Sequence, residues 1–249
     1  MPLLECHDLT RRFGALVAVD DVTLSVEPGE IRSVIGPNGA GKSTFFNLVT
    51  GMLKPTTGRV VLDGEDITGL PAHEIAQRGV ARTFQLTQLM SGLTARQNVR
   101  LAAQARDPRR WTMLGGGDVL ARAEQIADGA LEQLRLTDHA NALASELSHG
   151  DQRLLEIAMA LAQGARLLML DEPTQGLSIE ETDRAVEILR DVLAGGNVTV
   201  MLVEHDMEVV FKLADRITVL HQGRVIADGE SAAVRADPHV QEAYLGGLD

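Results

Sequence analysis

The stretch of residues 36–44 constrains this chain more than any other part of its sequence. It fits the phosphate-binding pattern G-x-x-x-x-G-K-[ST] at every fixed position. Glycines let a backbone curl tightly, so that successive N–H groups can surround phosphate oxygens. In such a loop the ammonium of Lys42 reaches the terminal phosphates and the hydroxyl of Ser43 ligates Mg²⁺. The candidate ligand-binding residues are Gly36, Pro37, Asn38, Gly39, Ala40, Gly41, Lys42, Ser43 and Thr44.

The sequence around the loop has the order that this motif requires. Residues 30–35 are short, rich in β-branched side chains and preceded by Pro28-Gly29, which predicts a strand. Apolar residues recur at helical spacing after the loop, from Phe45 to Met52. A glycine-rich turn that holds a lysine by chance is the alternative. Strand, loop and helix in this order favour a nucleoside triphosphate site instead.

Composition limits the class of protein. The chain has 249 residues, of which 45% are hydrophobic and 23% charged, as in ordinary soluble globular proteins. Its apolar runs are too short to cross a bilayer, no export signal opens it, and Cys6 as the only cysteine excludes an intramolecular disulfide. We therefore expect a cytoplasmic setting. The net charge of −12 does not favour binding to nucleic acid or to anionic lipid.

The pattern of turns and periodicity predicts an α/β fold with a helical insertion. Strands are predicted at 3–9, 17–19, 22–26, 30–35, 58–64, 166–170, 198–203, 217–220 and 224–227. Helices are predicted at 71–76, 118–134, 179–193 and 209–214, with 107–117 as a loop and 234–245 as a final amphipathic segment. The first strands should be antiparallel, whereas strands that alternate with helices imply a mostly parallel sheet. Residues 86–161 should form a helical subdomain.

An acidic pair follows a predicted buried strand. Four apolar residues end in Asp171 and Glu172, and the carboxyl ends of strands are where α/β sheets place ligand sites. Asp171 is a candidate Mg²⁺ ligand, directly or through water, and Glu172 a candidate general base for an attacking water. The alternative is a strand that ends in ordinary charged residues at solvent. The phosphate loop favours the functional interpretation.

Four further residues have a structural and a functional interpretation. Ser148, with Asp151 three residues on, predicts a capping box, while a helix start bearing Ser148 and Gly150 also suits an anion. Gln85 follows the strand-like residues 80–84 and can touch a metal and a water, or be an unremarkable polar residue. His205 follows another strand and can contact a γ-phosphate, or be solvated. Phe13 suits adenine stacking or core packing.

In this order, these residues resemble the motifs of the nucleotide-binding subunits of ABC transporters, and the resemblance covers nearly the whole chain. It assigns Phe13 as the adenine-stacking aromatic, 36–44 as Walker A, Gln85 as the Q-loop, 147–152 as the signature motif, 167–172 as Walker B and His205 as the switch histidine. Within that family the chain is most similar to importer ATPases for branched-chain amino acids, amides and urea. That similarity is carried by residues 80–85, 154–158, 203–207 and 244–247.

The resemblance implies a P-loop NTPase core with a mostly parallel sheet, an antiparallel β subdomain and an inserted α-helical subdomain. The core comprises 1–85 and 162–249, and the insertion comprises 86–161. The cofactors implied are ATP and Mg²⁺, with Ser43, Gln85 and Asp171 at the metal. The implied catalytic residues are Lys42, Gln85, Glu172 and His205.

The family also implies partners. Two such subunits close head-to-tail on two ATP molecules, so that Ser148 and Gly150 of one subunit serve the Walker A loop of the other. We expect a heterodimer with a second ATPase chain, although a homodimer can form in isolation. Two separate membrane permease subunits would hold it on the inner face of the cell membrane, and a solute-binding protein would act indirectly.

The chain departs from the family pattern in two motifs. The usual signature reads L-S-G-G-Q, whereas His149 and Asp151 stand here. The loop after Walker B usually has an aspartate after its leucine, where this chain has Ser178. The alternatives to transport are a soluble ABC-type ATPase acting on nucleic acid or the ribosome, and a non-hydrolysing nucleotide sensor. The acidic charge and the single cassette disfavour the first, and Glu172 disfavours the second.

Overall fold

The amino-terminal part of the chain forms an antiparallel sheet. The computed structural model describes residues 1–83, 89–105, 116–196 and 198–240. With strands numbered along the chain, this sheet contains β1 Leu4–Phe13, β2 Leu16–Val26, β4 Thr57–Leu62 and β5 Glu65–Asp66. The order is β2-β1-β4-β5, and each neighbouring pair is antiparallel. The predicted antiparallel start of the fold is confirmed.

A second sheet occupies the centre of the fold. Within the described ranges it contains β3 Ile31–Ile35, β6 Val80–Arg82, β7 Leu167–Asp171, β8 Thr199–Val203, β9 Arg216–His221 and β10 Arg224–Glu230. The order is β10-β9-β3-β8-β7-β6. All neighbours are parallel except β9 and β10, which are antiparallel. Strands β3, β7 and β8 are buried at every residue, as expected for a parallel sheet covered on both faces.

The helices fall into two groups along the chain. Those outside the segment between β6 and β7 are α1 Lys42–Val49, α2 Ala72–Gln77, α6 Ile179–Leu193, α7 Met207–Leu213, α8 Ser231–Ala236 and the short α9 Pro238–Val240. Those between β6 and β7 are α3 Ala95–Ala105, α4 Gly116–Gln133 and α5 His149–Ala162, which pack on one another. Two 3₁₀ turns, Thr137–His139 and Ala144–Glu146, connect α4 to α5.

Strand β7 lies between two hydrophobic cores. Side chains alternate across a strand, so Leu168 and Leu170 face one side and Leu167 and Met169 the other. The first pair packs in a core shared with α3, α4, α5 and α6. The second pair packs in a core shared with the antiparallel sheet and with α1. The position of the acidic end of β7 is therefore fixed from both faces.

Helix α1 is anchored by two adjacent phenylalanines. Phe45 and Phe46 are fully buried, with ring centroids 6.4 Å apart in an edge-to-face arrangement. Burial of a phenylalanine side chain contributes about 1.5–3 kcal/mol. The first turn of α1, which carries Lys42, is thus held against the core.

Most predicted elements are present, with several corrections, of which the first is that the strands predicted at 17–19 and 22–26 form the single strand β2. Gly116 and Gly117 were predicted to be loop but begin α4, whose buried Val119 and Ala123 extend the helical face into this turn. Helix α7 begins at Met207 because Asp206 caps it, earlier than predicted. The predicted segment 234–245 is divided, since α8 ends before Asp237. Residues 107–115 and 241–249 lie outside the described ranges, and the subdomain boundary remains a prediction.

Candidate active site

The loop between β3 and α1 is shaped by glycines that no other residue can replace. Gly36 has φ +152°, and a Cβ atom there would lie 2.1 Å from the carbonyl oxygen of Leu220. Gly41 has φ +104°, and a Cβ atom would lie 2.3 Å from the carbonyl oxygen of Ala18. Both contacts are with backbone, which cannot move aside as a side chain can. The loop is therefore packed tightly against β2 and β9 at its two ends.

Lys42 lies inside this loop and is turned back onto it. Its Nζ donates hydrogen bonds to the carbonyl oxygens of Gly36 at 2.6 Å and Pro37 at 3.1 Å. Burial lowers the pKa of Lys42, and the nearby carboxylates of Glu172 and Asp171 partly oppose this shift. The loop thus holds an ammonium group beside the acidic end of β7.

Glu172 has an unusual backbone conformation at the end of β7. Its φ is +52°, a left-handed conformation that costs a non-glycine residue on the order of 1–2 kcal/mol. The backbone is held there by a 2.9 Å hydrogen bond from Glu172 N–H to the carbonyl oxygen of Val203. The side chain is only 10% exposed, and its Oε1 lies 2.9 Å from Nε2 of His205. Strain of this kind concentrates at functional sites.

The phosphate loop, Glu172 and His205 line one cleft. The cleft has a volume of about 570 Å³. Its lining residues are Leu16, Val17, Ala18, Asn38, Gly39, Ala40, Gly41, Lys42, Ser43, Thr44, Glu172, Val203, His205 and Gln222. Residues from distant parts of the sequence meet here because β3, β7 and β8 are parallel neighbours whose carboxyl ends share one edge of the sheet.

Asp171 forms a buried ion pair with Arg82 at this edge of the sheet. Its Oδ2 accepts a 2.8 Å hydrogen bond from Nη2 of Arg82, and both side chains are under 10% exposed. Nη1 of Arg82 donates at 2.6 Å to Oδ1 of Asn47 in α1. Arg82 was not predicted to be a site residue. The sequence feature that could have identified it is its position in the strand-like segment before the helical insertion, three residues before Gln85.

Ser148 caps helix α5, as predicted. Its Oγ accepts a 3.1 Å hydrogen bond from the N–H of Asp151. The reciprocal half of the predicted capping box is wrong, because the Asp151 carboxylate accepts from Nη1 of Arg184 at 3.0 Å. The N–H of Gly150 donates to Oε1 of Glu181 at 3.4 Å. Neither Ser148 nor Gly150 lines the cleft of its own chain.

Phe13 lies on the surface and not in a core. It is 43% exposed, and the guanidinium carbon of Arg11 lies 4.5 Å from its ring centroid. Phe13 pairs across the β1–β2 hairpin with Leu16, which lines the cleft. The core-packing interpretation is therefore wrong. Gln85 lies outside the described residues.

Leu16, Val17, Ala18 and Gln222 line the cleft but were not predicted as site residues. The first three belong to β2 and Gln222 to the β9–β10 turn, and both elements contact the phosphate loop. The N–H of Gly223 donates to the carbonyl oxygen of Ala40 at 2.9 Å, which attaches the β9–β10 turn to the phosphate loop.

This fold, with a phosphate loop, an acidic strand end and a histidine around one cleft, defines a P-loop nucleotide-binding ATPase. Residues 19–175 match the family model described as ABC transporter, and residues 224–249 match that of the branched-chain amino acid ATP-binding cassette transporter. The chain belongs to the ABC transporter family. It binds nucleotide and hydrolyses ATP.

The similarity extends over whole chains. The chain is 45% identical to the high-affinity branched-chain amino acid transport ATP-binding protein BraF of Pseudomonas aeruginosa, over 98% of both proteins. It is 42% identical to LivG of Escherichia coli, a protein of the same description, again over 98% of both. These comparisons give no support to the nucleic-acid alternative.

Solved structures agree with this assignment. An ATP-binding cassette of an ABC transporter in its ADP conformation is 31% identical, with a TM-score of 0.83 over 99% of both chains. A dimeric cassette in a post-hydrolysis state, bound to ADP and Pi, is 28% identical, with a TM-score of 0.75 over 92% of this chain and 98% of that one. Among the described residues, no helix is both long and apolar enough to cross a membrane.

Proposed function

We propose that this chain energises the uptake of branched-chain amino acids, or of a related amide or urea-type solute, through separate membrane permeases. The observation that carries this proposal is full-length similarity to two branched-chain amino acid transport proteins. The same chain has a cleft that combines the phosphate loop with Glu172 and His205. The amino acid itself would not touch this subunit.

The residues of the cleft suit an in-line attack of water on a γ-phosphate. Backbone N–H groups of the loop and the ammonium of Lys42 would stabilise negative charge on the phosphate oxygens. Lys42 would exchange its bonds to loop carbonyls for bonds to phosphate. Glu172 would take a proton from the attacking water, and His205, 2.9 Å from it, would orient both groups. Phe13 would stack on adenine from the hairpin beside Leu16.

The oxygen donors at this edge fit Mg²⁺. This ion binds through one or two carboxylates together with substrate phosphates and retained waters. Ser43 lines the cleft, and the carboxylates of Asp171 and Glu172 lie near enough to Lys42 to raise its pKa against the effect of burial. Ser43 and Asp171 would hold the ion, with Gln85 as a further predicted ligand. Bound there, it would neutralise charge on the phosphate oxygens.

A second subunit would complete the site. Ser148 and Gly150 do not line their own chain's cleft, and the related cassette bound to ADP and Pi is dimeric. We infer that the start of α5 meets the nucleotide of a facing subunit, in a heterodimer with another ATPase chain. The pair would lie at the inner face of the membrane on two permease subunits, served by a solute-binding protein.

Purification from membranes tests this proposal. A tagged chain is isolated from its own cells, the copurifying proteins are identified, and uptake of labelled leucine is measured with the wild type and with Glu172→Gln. We expect permeases to copurify, and uptake to stop in the variant although it is still assembled. Copurification of ribosomes or nucleic acid without permeases would overturn the proposal. Uptake of urea or an amide in place of leucine would change only the solute.

A further inference from the structure

One guanidinium connects three elements of the active site. Arg82, the last residue of β6, donates from Nη2 to Asp171 Oδ2 at 2.8 Å and from Nη1 to Asn47 Oδ1 at 2.6 Å. Asp171 ends β7, and Asn47 lies in α1, the helix that begins with Lys42. The guanidinium carbon also lies 5.8 Å from the ring centroid of Phe46.

The pair between Arg82 and Asp171 is almost dry. The side chains are 9% and 8% exposed. An arginine is planar and presents its donors in a rigid fork, so bonds from two of its nitrogens fix the direction of each acceptor. A pair made only for stability has little advantage here, since desolvation offsets much of the attraction between buried charges. Its position at the acidic end of β7 points to function.

We propose that Arg82 is a positioning residue for the metal-binding carboxylate of Asp171. By holding Oδ2, it fixes the rotamer of Asp171 and directs the rest of the carboxylate. By holding Asn47, it keeps that carboxylate in register with α1 and hence with Ser43. This inference rests on the proposed Mg²⁺ site. Partners that orient metal ligands typically change metal affinity 10–100-fold when they are removed.

The test measures metal dependence of nucleotide binding, without turnover. A fluorescent ATP analogue is bound to the purified chain in EDTA, and free Mg²⁺ is then raised to find the concentration at half-maximal change in binding. For Arg82→Met we expect that concentration to rise about 10–100-fold. For Arg82→Lys we expect a smaller rise, because an ammonium keeps the charge but loses the fork.

Arg32→Met is the matched control. Arg32 is 2% exposed and pairs with Glu30 at 2.6 Å and Asp228 at 2.7 Å, so it is also a buried arginine held by carboxylates. Strand β3 carries it near its amino end, away from the cleft. We expect Arg32→Met to lower stability, while the Mg²⁺ concentration at half-maximal change stays that of the wild type.

The possible results distinguish the role of Arg82 from the proposed Mg²⁺ site on which that role depends. If the wild type responds to Mg²⁺ and both Arg82 variants respond at the same concentration, the role of Arg82 is wrong and the metal site stands. If the wild type shows no response, the metal site itself is wrong, and the inference fails with it. If Arg82→Met does not fold, Arg82→Lys decides, and a wild-type response from it overturns the inference.

Discussion

His205 Nε2 lies 2.9 Å from Glu172 Oε1, although 33 positions separate them in sequence. The contact exists because β7 and β8 are parallel neighbours, in register from Leu167 with Thr199 to Asp171 with Val203. Each residue follows the carboxyl end of its strand within two positions. A change in either side chain therefore alters the surroundings of the other.

Replacement of Glu172 should separate binding from turnover. Glu172→Gln keeps the size of the side chain but removes its capacity to accept a proton, so ATP should still bind while hydrolysis falls about 10²–10⁴-fold. The ATP-bound dimer should persist, which sedimentation can detect beside a phosphate-release assay. A wild-type rate from Glu172→Gln would contradict its role as general base.

Loss of Lys42 should weaken binding itself. Lys42→Ala removes a cation from the loop, and hydrogen bonds to charged groups contribute about 1.5–3 kcal/mol, or roughly 10–100-fold in affinity. Nucleotide titration measures this directly. Lys212→Ala is the control, because Lys212 is an exposed lysine that pairs with Asp183 and does not line the cleft. Unchanged ATP affinity in Lys42→Ala would rule out the proposed contact.

Glu181 should make stability depend on pH. Hydrogen bonds, first from the backbone N–H of Ser178 and also from that of Gly150, lower its pKa from 4.5. A lowered carboxyl pKa stabilises the fold above the unfolded value, and that contribution is lost as pH falls through the folded value. The wild type should thus exceed Glu181→Gln in unfolding free energy near neutral pH and approach it below 4.5. Urea denaturation from neutral pH to below pH 4.5 measures the difference in unfolding free energy between the two proteins. A difference that does not change with pH would contradict the prediction.

Cys6 should be inert in the native protein. It is fully buried in β1, and burial raises the pKa of its thiol from 9.0 to about 12. The unfolded thiol ionises first, so stability present below pH 9 is lost as pH rises toward 12, by up to about 1.4 kcal/mol per pH unit. In Cys6→Ala, the unfolding free energy should lack this part of its decrease between pH 9 and pH 12. Thiol reagents should label the wild type only in denaturant, and equal labelling of the native protein would refute the prediction.

Sequence patterns predicted what depends on neighbours along the chain. The phosphate loop, the apolar strand that ends in Asp171 and the cap at Ser148 are local signals, and each was found in place. Contacts that depend on strand order were not predictable. Arg82 reaches Asp171 only because β6 lies beside β7, and nothing in the sequence specifies that pairing. Gly116 and Gly117 were wrongly predicted to be loop, because the packing of α4 outweighs their low helix propensity.

The bond between Asp151 and Arg184 bears on how cassettes of this family can be recombined. The acidic residue that departs from the usual signature motif is only 6% exposed, and a cation of its own chain neutralises it. In the proposed dimer, a facing subunit would consequently need no charge complementary to Asp151. Asp151 and Arg184 should therefore be transferred together when a signature motif is moved into another cassette. Without Arg184 of α6, the transferred motif would carry a buried carboxylate with no compensating cation.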